Sequence, residues 1–250
     1  MLVFEFIESH VLVSPNMSNE LTIEMIEIPG GEFYMGSAHR PVYLKSYKIA
    51  KYSVTNAQFK TFRDSLSSWQ RSTIAIPKTW EGERIPAGKE HHPVVLVNWY
   101  EANSFAQWLN LRLPTEVEWE KAARGGIFLD GDEYQQNKNP NPQRVYPWGN
   151  EFSSAKCNTL ESGRKEVVAV EEFREGQSPY GVMQLSGNVW EWCSTLFETE
   201  SDDLSTYGAR VLRGGAWDVD ASKATCSYRY RHNMEYRLAS VGFRCAQDVY

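Results

Sequence analysis

Cysteine is scarce in this chain, with four in 250 residues, at Cys157, Cys193, Cys226 and Cys245. No two form a C-x-x-C pair, which removes zinc-ribbon and thioredoxin-like readings. Four over this length are also too few for a disulfide framework. No run approaches the roughly 20 consecutive apolar residues of a membrane-spanning helix. Basic charge is in deficit: 26 Lys and Arg against 32 Asp and Glu leave a net charge of −6. A general binder of the phosphate backbone needs the opposite balance, so nucleic acid is not an expected partner, and nor is a membrane. The opening residues lack a basic n-region, and Glu5 and Glu8 interrupt any h-region. No secretory leader is read there, and a reducing, cytoplasmic setting is the expectation.

Aromatic residues are plentiful. They make up 13% of the chain, and hydrophobic residues as a whole make up 42%. Together with the length, this excludes disorder for most of the chain and allows a sizeable core without staples. Residues 1–20 carry little pattern and are expected to form a loose arm; residues 21–250 are expected to form one domain. Ile23 to Ile28 alternates apolar residues with Glu, the pattern of a half-buried strand. A turn at Pro29-Gly30-Gly31-Glu32 leads to a return strand at Phe33 to Gly36, and alternation from Val42 to Ile49 predicts a third strand. Helical spacing follows Thr55, a candidate N-cap. Residues 66–92 read as loop. A second helix is expected over Asn98 to Asn110. A third opens at Pro114, where Thr115 and Glu118 fit a capping box, and ends at Gly125-Gly126. Beyond residue 126 the pattern is of loops and short strands.

A series of short motifs runs through this frame: Ile28-Pro-Gly-Gly-Glu-Phe-Tyr-Met-Gly36, Tyr52-Ser-Val-Thr-Asn-Ala-Gln-Phe59 and His92-Pro-Val-Val-Leu-Val-Asn-Trp99. Next come Arg112-Leu-Pro-Thr-Glu-Val-Glu-Trp-Glu120, Tyr146-Pro-Trp-Gly-Asn150 and Gly187-Asn-Val-Trp-Glu-Trp192. Val211-Leu-Arg-Gly-Gly-Ala-Trp217 and Val241-Gly-Phe-Arg244 close the series. In that order the chain resembles the formylglycine-generating enzyme (sulfatase-modifying factor) family over residues 22–247. The resemblance implies an α+β class and a C-type-lectin-like fold of that enzyme's type, a loop-rich single domain.

The enzymes of this family oxidise a substrate cysteine with copper(I) and dioxygen, the metal held by two thiolates in the segment after Gly-Gly-x-Trp. Thiolates are the soft ligands that select Cu(I). Here Asp218 to Thr225 contains no cysteine, and Cys226 stands alone. Copper is therefore not expected, and catalysis is disfavoured; a metal-dependent oxidoreductase acting on a cysteine or thiol remains the alternative. Relatives also include sulfoxide synthases that need a histidine cluster for iron. The five histidines, His10, His39, His91, His92 and His232, show no helical ligand spacing. Carried over from the family, one calcium site would draw on Asn158 and Thr159. Another would draw on Gln184 and the carbonyls of Leu185, Gly187 and Val189.

The segment from Gly214 to Arg244 also resembles the variable proteins of diversity-generating retroelements, which use this fold to display a diversified binding surface. The resemblance implies a non-catalytic ligand-binding domain. Its partner is expected to be a protein or other macromolecular ligand, with operon-encoded proteins as further partners. The candidate surface is Trp217, Asp218, Val219, Asp220, Tyr228, Tyr230, His232, Asn233, Tyr236, Leu238, Ala239 and Ser240. Tyrosine offers large rigid contact area with a hydroxyl to orient the partner, although the same rings also serve as packing. Arg229, Arg231, Arg237 and Arg244 are expected to be structural, tying carbonyls and carboxylates together through several donors.

Overall fold

The computed structural model describes residues 21–249; the expected N-terminal arm lies outside them. The Ile/Met–Glu alternation produces β1, Met25–Ile28, which pairs antiparallel with β4, Tyr47–Ala50. The glycine turn leads into β2, Gly31–Met35, which forms a hairpin with β3, Arg40–Leu44. The single strand expected over Val42 to Ile49 is thus two strands in two sheets. The break falls at Lys45 and Ser46, where Ser46 Oγ accepts a hydrogen bond from Gly30 N at 2.9 Å and draws the chain across the turn. β9, Ala246–Asp248, adds to the far edge of β4, so the end of the domain closes onto its beginning.

Four helices follow β4, each opened by a reciprocal capping box. α1, Asn56–Ser65, is capped by Thr55; α3, Trp99–Trp108, by Asn98; and α4, Glu116–Arg124, by Thr115. Gly125 ends α4 with φ 86°, a left-handed value that favours glycine. α2, Ser68–Thr73, lies inside the stretch expected to be loop. It buries no residue, so no apolar periodicity marked it. Among the described residues, no helix is long and apolar enough to cross a membrane.

From residue 126 to 189 the chain is almost free of regular structure, as its punctuation predicts. It then enters a four-stranded sheet in the order β7-β6-β5-β8. Its strands are β5, Trp190–Leu196; β6, Ala209–Arg213; β7, Tyr230–Asn233; and β8, Val241–Gly242. All seven residues of β5 are buried. Trp190 and Trp192 point into a core with Phe59, Phe105, Trp99 and Phe243. Cys193 lies in a second core with Trp119 and Ala122 of α4. Both indoles of the Trp-Glu-Trp run thus pack into one core. β7 is an edge strand, and it carries part of the candidate surface outward.

Candidate ligand-binding surface

Gly214 and Gly215 turn the chain out of β6 with φ of 97° and 74°. A Cβ on Gly215 would stand 2.8 Å from Ala224 Cα, so the Gly-Gly pair is needed for the loop to fold back on itself. The loop then presents Trp217 and Asp218. Asp220 instead serves the backbone nearby. Its carboxylate caps the short helix Ala221–Lys223, accepting from Ser222 N at 3.0 Å. The Ser222 hydrogen bonds hold that carboxyl below its usual range.

β7 pairs with β6 in the register Leu212↔Tyr230 and Arg210↔His232. Tyr230 and His232 therefore share one face, and Arg231 and Asn233 the other. Tyr230 is 43% exposed with its ring 5.2 Å from that of Trp190. Tyr236 is 50% exposed and lies 4.2 Å from the His232 ring. Burial lowers the His232 pKa, and its Nδ1 accepts from Asn233 N at 3.1 Å, so the ring is neutral near pH 7.

The expected surface divides in two. Asp218, Tyr230, Asn233, Tyr236 and Ala239 are exposed. Val219, Tyr228 and Leu238 pack against the larger core, and Ser240 is buried with its carbonyl accepting from Trp190 N at 2.8 Å. Those four, and Asp220, serve the fold, because the segment must anchor its own ends before it can present anything. Two exposed tyrosines outside the segment belong to the same region. Glu235 raises the Tyr207 hydroxyl through its charge, and after burial it is the next cause raising Tyr100. Tyr207 lies in the loop joining β5 to β6, and Tyr100 in α3. No linear signal could have linked them to residue 235; only the packing of α3 beside the sheet does.

The arginines are structural, as expected. Arg244 grips Glu191 at 2.6 and 2.9 Å, and that carboxylate also accepts from Ser53 and from the Trp119 indole, each at 2.7 Å. Arg229 binds Glu116 at 2.6 and 2.7 Å, and Arg237 binds Glu101 at 3.0 and 2.8 Å. Arg231 pairs with Glu198 and, with Arg229, covers the Phe197 ring.

The family metals find poor hosts here. Cys226 is fully buried in the core behind α4, and burial pushes its thiol up to about 12. Burial likewise raises Cys157, Cys193 and Cys245. A buried thiol with a raised pKa is a poor nucleophile at neutral pH. The expected calcium positions are filled by amide donors. Gln184 Nε2 donates to the carbonyls of Ala169 and Glu172 at 2.9 and 3.2 Å, and Gln184 Oε1 accepts from Asn188 Nδ2 at 2.7 Å. Asn158 Nδ2 donates to Asn188 Oδ1 at 3.0 Å, and Asn158 Oδ1 accepts from Ser162 Oγ at 2.8 Å. Thr159 donates to Glu161 at 2.6 Å. A cation needs six or more free oxygens, preferably with carboxylate, whereas Gln184 Oε1 and Asn158 Oδ1 are already engaged by an amide and a hydroxyl donor. The Gly187 carbonyl accepts from Val189 N at 3.0 Å. Among the described residues, no group of three or more His, Cys, Asp or Glu side chains could hold a metal ion. The calcium expectation at Asn158, Thr159, Gln184, Leu185, Gly187 and Val189 does not fit this donor set.

Helices gathered early, a twisted sheet late and long ordered loops between them define an α+β domain with the formylglycine-generating-enzyme fold. The chain belongs to the family described as the sulfatase-modifying factor enzyme 1-like domain, whose model matches residues 11–249. It is 32% identical to the formylglycine-generating enzyme of Streptomyces coelicolor, over 90% of this chain and 89% of that one. It is also 32% identical to the serine/threonine-protein kinase pkn1 of Chlamydia pneumoniae, over 90% of this chain but only 38% of that protein, so the chain spans about two fifths of that relative. Among solved structures it is similar to Treponema denticola variable protein 1, with a TM-score of 0.66, 20% identity, and coverage of 89% of this chain and 94% of that one. That likeness is one of fold.

Proposed function

We propose that this domain is a binding module without oxidase chemistry, and that it engages a macromolecular ligand through the outward face of β7 and the loop that follows it. The observation that carries the reading is the fate of the one cysteine in the segment after Gly-Gly-Ala-Trp. Cys226 is sealed in the core with its thiol held protonated, while Tyr230 and Tyr236 stand in solvent. Exposed tyrosines, Tyr230 on the strand and Tyr236 in the loop after it, supply contact area at small entropic cost. Solved relatives of this fold include a protein named as variable, which agrees with a frame that tolerates change at the exposed positions. In this reading the chain is the variable protein of a diversity-generating retroelement.

The test has three parts. A sulfatase-derived cysteine peptide incubated with the protein, Cu(I) and air should remain a thiol; aldehyde formation would overturn the proposal and restore the oxidoreductase reading that the Streptomyces relative favours. Changing Tyr230 and Tyr236 together to Ala should abolish capture of displayed peptide or protein ligands selected on the native surface. The neighbouring DNA should hold a reverse transcriptase gene and a near-copy of the segment's coding sequence differing at adenines. A fixed segment with no such copy would leave a binding domain but remove the diversified one.

A further inference from the structure

The chain turns back where β7 ends. Tyr236 N donates to Asn233 O at 3.2 Å, and Glu235 lies inside that turn with its side chain exposed. Three tyrosines reach the turn from separate parts of the sequence. Tyr236 belongs to it and packs its ring on His232. Tyr207 meets it across the sheet: the β6–β7 register pairs Ala209 with Asn233, and two residues beyond that pair the same count sets 207 opposite 235. Tyr100 is carried in by α3, whose first residue, Trp99, donates its N–H to Met234 O at 3.0 Å, one residue before Glu235. The Glu235 charge accordingly reaches the hydroxyls of both Tyr207 and Tyr100. All three rings are open to solvent, Tyr207 at 67%.

The cations around the turn are already spoken for. Arg231 pairs with Glu198, Arg229 with Glu116 and Glu200, and Arg237 with Glu101. Arg210 is fully buried, donates to the carbonyls of Ser194, Asp203 and Thr206, and has the charges of Asp202 and Asp203 near it. His232, neutral near pH 7, brings no positive charge. Among the described residues, no Lys, Arg or His side chain forms an ion pair with Glu235. The turn thus combines an unanswered carboxylate with three exposed phenol rings. Aromatic rings attract cations through their quadrupole, and the carboxylate supplies the counter-charge. A guanidinium uses both, since it stacks on rings and forks onto a carboxylate, whereas an ammonium is a compact and strongly hydrated point charge. The rings lie open on the surface, and a small ligand needs most of its own surface enclosed, so the cation has to arrive on a larger body.

We propose that the turn at Glu235 receives an arginine side chain of a protein partner, its guanidinium on the Glu235 carboxylate beside the rings of Tyr207, Tyr100 and Tyr236. The inference rests on the binding reading of the β7 surface and deepens it by naming what the partner brings. An apolar partner would strip water from Glu235 without replacing it, and an acidic one would be repelled. The net charge of −6 favours encounter with a basic partner.

Nuclear magnetic resonance titration of the full chain with the peptide acetyl-Gly-Gly-Arg-Gly-Gly-amide tests it, against the same peptide carrying citrulline, which keeps the shape and loses the charge. The arginine peptide should bind saturably with a Kd of about 1–10 mM and move the backbone amides of Glu235 and Tyr236. The citrulline peptide should bind about tenfold more weakly. Glu235→Gln should bring the arginine peptide down to the citrulline level, and Tyr207→Leu should weaken it about threefold. Both positions are exposed, so both variants should melt within about 2 °C of the native protein. Equal binding of the arginine and citrulline peptides, full retention in Glu235→Gln, or no saturable shift up to about 50 mM overturns the proposal. A lysine peptide that binds as tightly as the arginine one overturns the assignment to arginine. Surface-selected ligands that are lost in Tyr230→Ala/Tyr236→Ala but kept in Glu235→Gln would leave the β7 surface standing and remove its cationic partner.

Discussion

Gln184 ties the long loop together, its Nε2 donating to the carbonyls of Ala169 and Glu172. Its oxygen in turn orders Asn188, whose own oxygen receives Val168 N at 2.9 Å. Removing the amide with Gln184→Ala leaves those carbonyls bare, at a cost of about 2–4 kcal/mol. Urea unfolding should show that loss equally in calcium and in chelator, and the native protein should unfold at the same point in both. Recovery by calcium would mean that the loops still form an ion site. Glu191 is the second side chain of this kind. It is fully buried, and its oxygens answer Arg244, Ser53 and Trp119. Glu191→Gln leaves the Arg244 charge uncompensated in the core, which should cost about 3–5 kcal/mol in unfolding free energy. Both roles were half legible. The arginines read as structural from their type and setting, yet nothing in the order of residues pairs 244 with 191. Nor does the order of residues join the Gln184 amide to the carbonyls of 169 and 172.

β5 and β7 show how position within a sheet separates packing from presentation. β5 is central and covered on both sides, so the Trp-Glu-Trp run is wholly buried. β7 is at the edge, and the same alternation there leaves Tyr230 facing outward. Its ring contacts Trp190 from outside the core, a pair contributing about 1 kcal/mol. The Tyr230→Ala/Tyr236→Ala protein should therefore melt within about 5 °C of the native one. Tyr228→Ala, which removes a ring packed on the core, should melt lower than the double variant. A collapse of the double variant in thermal unfolding would show that Tyr230 and Tyr236 are packing. Two helices were readable because Thr55 and Thr115 mark their starts with local chemistry, and the helix after Asn98 because of its apolar face. α2 was not readable because it has caps and no apolar face. The split of β3 from β4 leaves no mark in the sequence, because alternation continues through Lys45 and Ser46 and only the contact with Gly30 interrupts it.

The alkaline behaviour of the whole domain follows from what its core encloses. Burial raises all four thiols above their ordinary value of 9.0, Cys157 to about 11 and Cys226 to about 12. The unfolded chain therefore releases these protons first, and stability present at pH 8 is lost as pH climbs past 9. Lys121 works against this. It is buried, donates to the carbonyls of Pro29 and Gly31 at 2.7 and 2.8 Å, and burial lowers it from 10.5 to about 8. Above that value the folded state no longer holds a desolvated charge, and this group adds stability up to the unfolded value. The expected net is a fall of about 1–2 kcal/mol between pH 8 and 9.5. Lys121→Met should steepen that fall in urea titrations at the two pH values; an unchanged slope would place the lysine charge in contact with solvent.

The order of motifs by itself determined the family, the α+β class, the capped helices and the lack of paired thiolates after Gly-Gly-Ala-Trp. Each of these depends on residue type at short or fixed spacing, which a linear string preserves. The tertiary structure alone decided which of the twelve candidate surface residues face outward, and that Tyr100 and Tyr207 join them. It alone placed His92 and Trp217 on the lining of one cleft and tied Asn158, Asn188 and Gln184 to one another. Those outcomes depend on which segments the sheet order and the long loops bring together, and burial is a property of that assembly rather than of any residue's neighbours along the chain.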